Sequence, residues 1–385
     1  MSIYLIKHME SILKKHFGYD KFKAEQLEVI NYTLNNVDCL VILQTGYGKS
    51  LCYQFPSLIT KKITIVISPL LAIMQQQVKY LLKCNINATY YDHNFVNDLI
   101  LDIVNYDIVF ITPEKLVPNI HKLSTIIDHI GLFAIDEVHC ISEWGFNFRK
   151  SYTELHKLKH HYPEIPVMAL TASASHNIEQ DIIKYLNLDI CNTVLIKGSI
   201  YRENLHIQIH IKTDMFSDLK MLFTEDLDKI KPTIIYTNTI KNTIKISDYL
   251  DTELGIKCVH YYAGLDPLIK EEIDNLFINN KIHCIVATIA YGMGVHKKDI
   301  RRIIHYTPPN SIEEYYQQIG RAGRDGSISE CILFYNSQDF IEKTSEMYEY
   351  CCLLDCRNQY LLKYFNENLK IQNCKCDNCS EDLNY

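Results

Sequence analysis

The segment Gln44-Thr45-Gly46-Tyr47-Gly48-Lys49-Ser50 decides how the rest of the chain is read. It follows the apolar run VDCLVILQ (37–44) and opens a helix. Gly46 and Gly48 let backbone N–H groups close around phosphate oxygens at a helix N-terminus, where the helix dipole favours an anion. Lys49 supplies a positive charge for the outer phosphates, and the Ser50 hydroxyl suits Mg²⁺. Leu43 stands where many such loops begin with Gly or Ala, so the bland alternative is a glycine-rich strand-to-helix turn. The strand upstream favours a phosphate cradle, with Thr45, Gly46, Gly48, Lys49 and Ser50 as its walls.

Working outward, short β-branched runs recur: KITIVISP (62–69), YDIVFITP (106–113), GLFAIDE (131–137) and VMALTAS (167–173). A second series comes later: TIIYTN (233–238), KCVHYYAG (257–264), HCIVATI (283–289), RRIIHYT (301–307) and ECILFYN (330–336). Near-continuous apolar runs of this length fit strands buried on both faces of a parallel sheet. Helical stretches separate them, which predicts two α/β doubly wound parallel-sheet lobes. The polar, charge-mixed stretch Lys197–Asn204 marks the break. Domains are therefore expected at 1–198, 199–338 and 339–385.

Asp136-Glu137-Val138-His139 ends one of the first-lobe strands, and strand-end carboxylates lie where open parallel sheets bind ligands. Asp136 can hold Mg²⁺ while Glu137 orients an attacking water. Far downstream, Gln317-Gln318-Ile319-Gly320-Arg321-Ala322-Gly323-Arg324 places two arginines three residues apart, on one helical face. An arginine supplied to a γ-phosphate in this way is worth roughly 10³–10⁵ in rate. Lys49, Asp136, Glu137, Arg321 and Arg324 are the candidate catalytic residues of an ATP- and Mg²⁺-dependent hydrolase, with Arg324 preferred for the γ-phosphate and Arg321 as its helper.

Composition bounds the reading. The 385 residues, 47% hydrophobic and 22% charged, suit two lobes and a small appendage. The N-terminus, MSIYLIKHMESILKKHFGY, is an amphipathic helix pattern and not a signal peptide, and no apolar run spans a membrane. A soluble intracellular protein without membrane partners is expected. A net charge of −7 argues against coating nucleic acid through bulk charge, while leaving room for a local basic groove. Of fourteen cysteines, Cys39, Cys52, Cys140, Cys284 and Cys331 sit singly in apolar runs, where reduced cysteine acts as a small hydrophobe. Cys374, Cys376 and Cys379 crowd into six residues, and with Cys356 they form a candidate four-thiolate zinc site; Cys351 or Cys352 are alternatives for the fourth ligand. From Asp339 onward nine acidic and five basic residues give a net of −4, which suits a structural brace better than a phosphate grip.

Trp144, Phe146 and Phe148, with Arg149, stand close behind the acidic motif. Aromatic faces stack on unpaired bases for about 1–3 kcal/mol each, and Arg adds cation–π attraction. Their alternation also fits one packed face of a strand.

Together these motifs resemble superfamily 2 and, within it, the RecQ family of DNA helicases, over Phe17 to Cys379. The resemblance rests on FGYDKFKAEQ (17–26), TGYGKSLCYQFP (45–56), ISPLLAIMQQQV (67–78), TPEKL (112–116), IDEVHCISEWGFNFR (135–149), ALTAS (169–173), SIYRENL (199–205), YYAGLD (261–266), VATIAYGMGVHKKDIR (286–301) and EYYQQIGRAGRDG (314–326). A Cys-Arg pair at 356–357 and LLKYF (361–365) are similar to the family's zinc segment. The resemblance implies two RecA-like lobes with a small helical zinc-binding subdomain. It implies nucleotide contacts from Tyr19, Lys23, Gln26, Arg202 and Gln317. It further implies DNA contacts from Ser68, Pro69, Pro113, Glu114 and the aromatic block. Lys23 stands where the family has Arg, and Glu143, Phe146, Asn147, Tyr262 and His296 depart from its common Gln, His, Asp, His and Asn or Asp.

The expected function is an ATP-dependent DNA helicase moving 3′→5′ in repair, recombination or replication. It would act as a monomer on single-stranded and duplex DNA, in the nucleus if eukaryotic and otherwise in the cytoplasm. The winged-helix module that comes after zinc in many relatives is not expected in these residues. An RNA helicase, or a binding and annealing protein whose ATPase switches affinity, are the alternatives.

Overall fold

A computed structural model describes residues 3–91, 102–143, 150–225, 228, 230–289, 291, 297–340 and 344–380. The chain divides into two units, Met1–Ser199 and Ile200–Tyr385.

The first unit is built on a seven-stranded sheet: β1 Asp38–Ile42, β2 Ile63–Ile67, β3 Ala88–Tyr91, β4 Ile108–Ile111, β5 Ile130–Ile135, β6 Val167–Thr171 and β7 Thr193–Lys197. The strand order is β3-β4-β2-β5-β6-β1-β7, and every neighbouring pair is parallel. Side chains alternate between two cores. Leu40, Ile42, Ile65, Ile67, Phe133 and Ile135 face one, while Cys39, Val41, Val66, Leu132 and Ala134 face the other. Burial on both faces explains why the central strands read as continuous apolar runs.

The second unit repeats the plan with six strands: β8 Leu205–Ile211, β9 Thr233–Tyr236, β10 Cys258–Tyr261, β11 Cys284–Ala287, β12 Arg302–His305 and β13 Ser329–Tyr335. Their order is β10-β11-β9-β12-β13-β8, again parallel throughout. The C-terminal segment does not stand apart as a third body. Met347, Tyr350, Leu361, Leu362, Phe365 and Cys376 share one core with Ile234, Ile285, Ile303 and Leu333 of the sheet.

Three strands, β3, β7 and β8, were not among the expected apolar runs. Each lies at an edge of its sheet. In β8, LHIQIHI alternates apolar and polar residues, with Leu205 and Ile207 buried while Gln208 is also buried and Ile211 is exposed. Cys39, Cys52, Cys140, Cys284 and Cys331 are all buried, and burial pushes the thiols of Cys39, Cys52 and Cys331 up to about 12.

Candidate nucleotide site and zinc knuckle

Because the first sheet is parallel, residues just past β1, β2, β5 and β6 line up along one edge. The loop after β1 closes onto the helix Lys49–Gln54. Gly48 caps that helix in the left-handed region (φ 94°), and a Cβ there would come within 2.7 Å of the Gln26 amide nitrogen. Only glycine fits. Gln26 Nε2 donates to the carbonyls of Tyr47 and Gly48, both at 3.2 Å, and its Oε1 accepts from the Lys23 backbone N–H at 3.0 Å. Gln26 therefore braces the loop from below. Lys23 lies over the Tyr47 ring, 4.0 Å from its centre, and burial lowers its pKa. The Tyr47 hydroxyl bonds to Glu25, while Tyr19 is half exposed. Lys49 Nζ donates to the Leu43 carbonyl at 2.9 Å, which holds its ammonium over the loop.

Asp136 comes directly after β5, and its N–H donates to the Ile67 carbonyl at 2.9 Å, locking it beside β2. Burial first, then the adjacent Glu137 charge, pushes the Asp136 carboxyl up, while Lys49 pulls it down. Lys49 is thus a cation that acts on the Asp136 carboxylate. Glu137 occupies the left-handed region (φ 49°), an uncommon conformation for a non-glycine residue and typical of functional turns.

His139 connects this motif to β6. The Thr171 hydroxyl donates to the Ser173 carbonyl at 3.0 Å, so at 3.0 Å from His139 Nδ1 its oxygen is the acceptor and Nδ1 carries the proton. That proton points at Thr171, and Glu137 Oε2, 3.4 Å from the same nitrogen, stays buried without a hydrogen bond. The tetrapeptide DEVH was legible, but the pairing of its histidine with ALTAS needed the fold. Ser68 Oγ is a second buried oxygen without a partner at this edge. Adjacent half-buried carboxylates, an unsatisfied carboxylate oxygen and the Ser50 hydroxyl offer an all-oxygen donor set that fits a small divalent cation. Asp136 and Ser50 would hold Mg²⁺, which neutralises phosphate charge.

Of the residues expected to meet DNA, Ser68, Pro69 and Pro113 are buried and Glu114 is exposed. Contacts at the first three would come from the main chain. Trp144, Phe146, Phe148, Arg149, Asn147 and His296 lie outside the described residues.

In the second unit, the helix Ile312–Ile319, capped by the Ser311 side chain, runs into the arginine loop. Gly323 sits there in the left-handed region (φ 53°), and a Cβ would collide with the Asn204 amide, the Ser327 carbonyl and the Ser329 hydroxyl. Arg202 donates to the carbonyls of Gly320 and Gly323, and Asn204 Nδ2 donates to those of Gly323 and Ser327 at 3.0 and 2.8 Å. Arg301 forms a two-pronged ion pair with Asp325. Arg202 thus holds the loop that carries Arg321 and Arg324. Arg321 is buried, with Nε lacking a hydrogen-bond partner, and Gln317 is half-buried on the same helix. Beside it, Gln318 accepts from His305 Nε2 at 2.6 Å and donates to Glu314.

The sulfurs of Cys356, Cys374, Cys376 and Cys379 lie within 4.8 Å of one another. Cys356 is the fourth member of this cluster and would be the fourth ligand; Cys351 is buried in the core and Cys352 lies against the Tyr335 hydroxyl. Asn358 Nδ2 donates to Cys374 Sγ at 3.1 Å and the Gln359 N–H to Cys356 Sγ at 3.4 Å, orienting the thiolates as outer-shell groups do. Four clustered thiols fit tetrahedral Zn²⁺, whose binding stabilises small domains by about 10–16 kcal/mol.

Three family models match in chain order: a DEAD/DEAH box helicase domain over residues 23–181, a helicase conserved C-terminal domain over 212–326 and a RecQ zinc-binding domain over 335–380. The chain is 40% identical to an ATP-dependent RNA helicase of Acanthamoeba polyphaga mimivirus, covering 97% of this chain and 72% of the relative. It is 35% identical to the ATP-dependent DNA helicase RecQ of Haemophilus influenzae, covering 96% of this chain and 63% of the relative. Among solved structures, the DUF1998 helicase MrfA bound to DNA and AMPPNP shares the fold, with a TM-score of 0.73 at 20% identity over 88% of this chain and 51% of that one. No described helix is long and apolar enough to cross a membrane. With the phosphate loop, the DEVH motif, the arginine loop and the four-cysteine knuckle in family order, the chain belongs to the RecQ family of ATP-dependent helicases.

Proposed function

We propose that the chain couples ATP hydrolysis to 3′→5′ movement along one DNA strand and thereby opens duplex DNA. The observation that carries this reading is the half-buried Asp136–Glu137 pair at one sheet edge, with Lys49 acting on Asp136 as the opposing charge. Lys49 would hold the outer phosphates, Glu137 would orient the attacking water, and Arg324, helped by Arg321, would stabilise charge on the transferred phosphoryl group. Tyr19, Lys23 and Gln26 would frame the base, and Arg202 and Gln317 are the further nucleotide contacts we propose. The Thr171–His139–Glu137 chain supports coupling, because a shift of β6 reaches the water-orienting carboxylate through two short contacts.

DNA is favoured over RNA by the RecQ zinc-binding match, whereas the mimivirus relative carries an RNA name. Single-stranded DNA should raise ATP turnover well above single-stranded RNA of equal length. A forked duplex should be displaced only with ATP and Mg²⁺. Lys49→Ala should remove hydrolysis and unwinding together; normal turnover in that variant would sink the proposal. ATPase stimulation without strand displacement would favour an ATP-switched binding or annealing protein instead.

A further inference from the structure

The zinc knuckle is joined to the sheet by one residue in particular. Asp377, between Cys376 and Cys379, donates its N–H to the Ile207 carbonyl at 2.9 Å and accepts the Ile209 N–H on Oδ2 at 2.8 Å. Both β8 groups face away from β13, so Asp377 closes the outer edge of β8 much as a paired strand would. Its other oxygen accepts from Arg357 Nε at 2.6 Å, and Arg357 donates to the Tyr350 carbonyl. Asn378 Nδ2 donates to the carbonyls of Leu353 and Asp355, both at 2.8 Å.

A second anchor lies just upstream of β8. Glu367, also in the C-terminal segment, accepts the Ile200 N–H at 2.8 Å, and the Ile200 carbonyl accepts from the Tyr316 hydroxyl at 2.7 Å. Residues 200–209 are therefore clamped at one end by Glu367 and at the other by Asp377. Between the clamps stand Arg202 and Asn204, whose side chains grip the carbonyls of Gly320, Gly323 and Ser327. The Asn204 carbonyl also accepts the Ser329 N–H at 2.9 Å.

We infer that Asp377 is a positioning residue for the arginine loop: the metal-bound knuckle fixes the bracket 200–209, and the bracket fixes Arg321 and Arg324. A merely structural zinc site would stabilise the second unit without selective effect on turnover. Here its loss acts on the arginines through a short, fully hydrogen-bonded path. Misplacement of a catalytic group by about 1 Å costs on the order of 10²-fold in rate.

The inference rests on the proposed ATPase, so wild-type turnover stimulated by single-stranded DNA is measured first; its absence would sink that reading and leave amide hydrogen exchange as the test of the bracket. Asp377→Ala should lower kcat roughly ten- to hundred-fold, with KM for ATP changed less than about threefold. In an Arg324→Ala background the further loss should shrink towards none, because both changes act on one group. Amide hydrogen exchange should quicken in residues 205–211 and 320–326 and stay unchanged in 130–135. Zinc content is read in parallel by chelator release. Glu367→Ala, which removes none of the four clustered thiols, should reproduce the kcat loss with zinc retained, and it serves if Asp377→Ala fails to fold. Full additivity with Arg324→Ala, or unchanged exchange in 320–326, would overturn the inference.

Discussion

The two sheets share a parallel architecture but present opposite charge at their functional ends. At the first, Asp136 and Glu137 are packed side by side, with Lys49 as the cation that offsets them. At the second, Arg321 and Arg324 ride on a loop gripped by Arg202 and Asn204 through main-chain carbonyls. The acidic end is incompletely satisfied: Glu137 Oε2 and Ser68 Oγ are buried without hydrogen bonds. Such groups are costly unless a ligand meets them. At the basic end the carbonyls of Gly320, Gly323 and Ser327 are satisfied, and Arg321 Nε is among the buried atoms left without a hydrogen bond. One end would suit a cation and the other an anion. A fold used twice has been differentiated by the loops at the ends of its strands.

The comparison can be broken most sharply at the charges. Arg324→Ala should lower kcat by about 10³–10⁵-fold, and Glu137→Gln by about 10²–10⁴-fold, both with ATP affinity held within a few-fold in equilibrium titrations. Retention of most turnover in either variant would mean that its end of the pair is not catalytic. A smaller effect is expected from the loop's backbone. Gly323→Ala should destabilise the second unit by roughly 1–3 kcal/mol, because strain at a positive φ is joined by collision with Asn204 and Ser327. Gly326 also has a positive φ but nothing within 4 Å of a new Cβ, so Gly326→Ala should cost only about 1 kcal/mol. Urea midpoints compare the two; equal shifts would show that the bracket does not press on Gly323.

The last effect concerns pH. Burial, opposed by the hydrogen bond to Gln318, lowers the His305 pKa to about 4 from its ordinary 6.5. The unfolded chain takes up a proton first as pH falls. The stability associated with neutral His305 is therefore complete above pH 6.5 and is lost between 6.5 and about 4, by about 3 kcal/mol at most. His305→Gln should flatten the decline in unfolding free energy across that window. An unchanged slope would move the acid sensitivity elsewhere.

Much of this was legible in the sequence because it is local. A phosphate loop must come after a strand and open a helix, and its Gly-Lys-Ser spacing is fixed by the geometry of backbone N–H groups around a phosphate. The central strands were legible because burial on both faces forces continuous apolar runs. The edge strands β3, β7 and β8 escaped, since one-sided burial leaves shorter or alternating patterns. The fourth zinc ligand was open among Cys351, Cys352 and Cys356 because spacing along a chain does not state which thiol the helix turns inward. The side-chain partners of Gln26, Arg202 and Asp377 were not legible either. Each is set by a segment about twenty to 170 residues away.

The chain by itself determined the chemistry: which residue types stand at strand ends and loop turns, and hence two nucleotide-hydrolysis motifs, an arginine loop and a thiolate cluster. Only the tertiary structure decided how those pieces hold one another. It turned His139 towards Thr171, tied Gln26 to the phosphate loop, chose Cys356 and placed Asp377 on the open edge of β8. The physical reason is that hydrogen-bond partners of buried groups are fixed by packing between distant segments, whereas the capacity to bind phosphate or metal is carried by short, contiguous patterns.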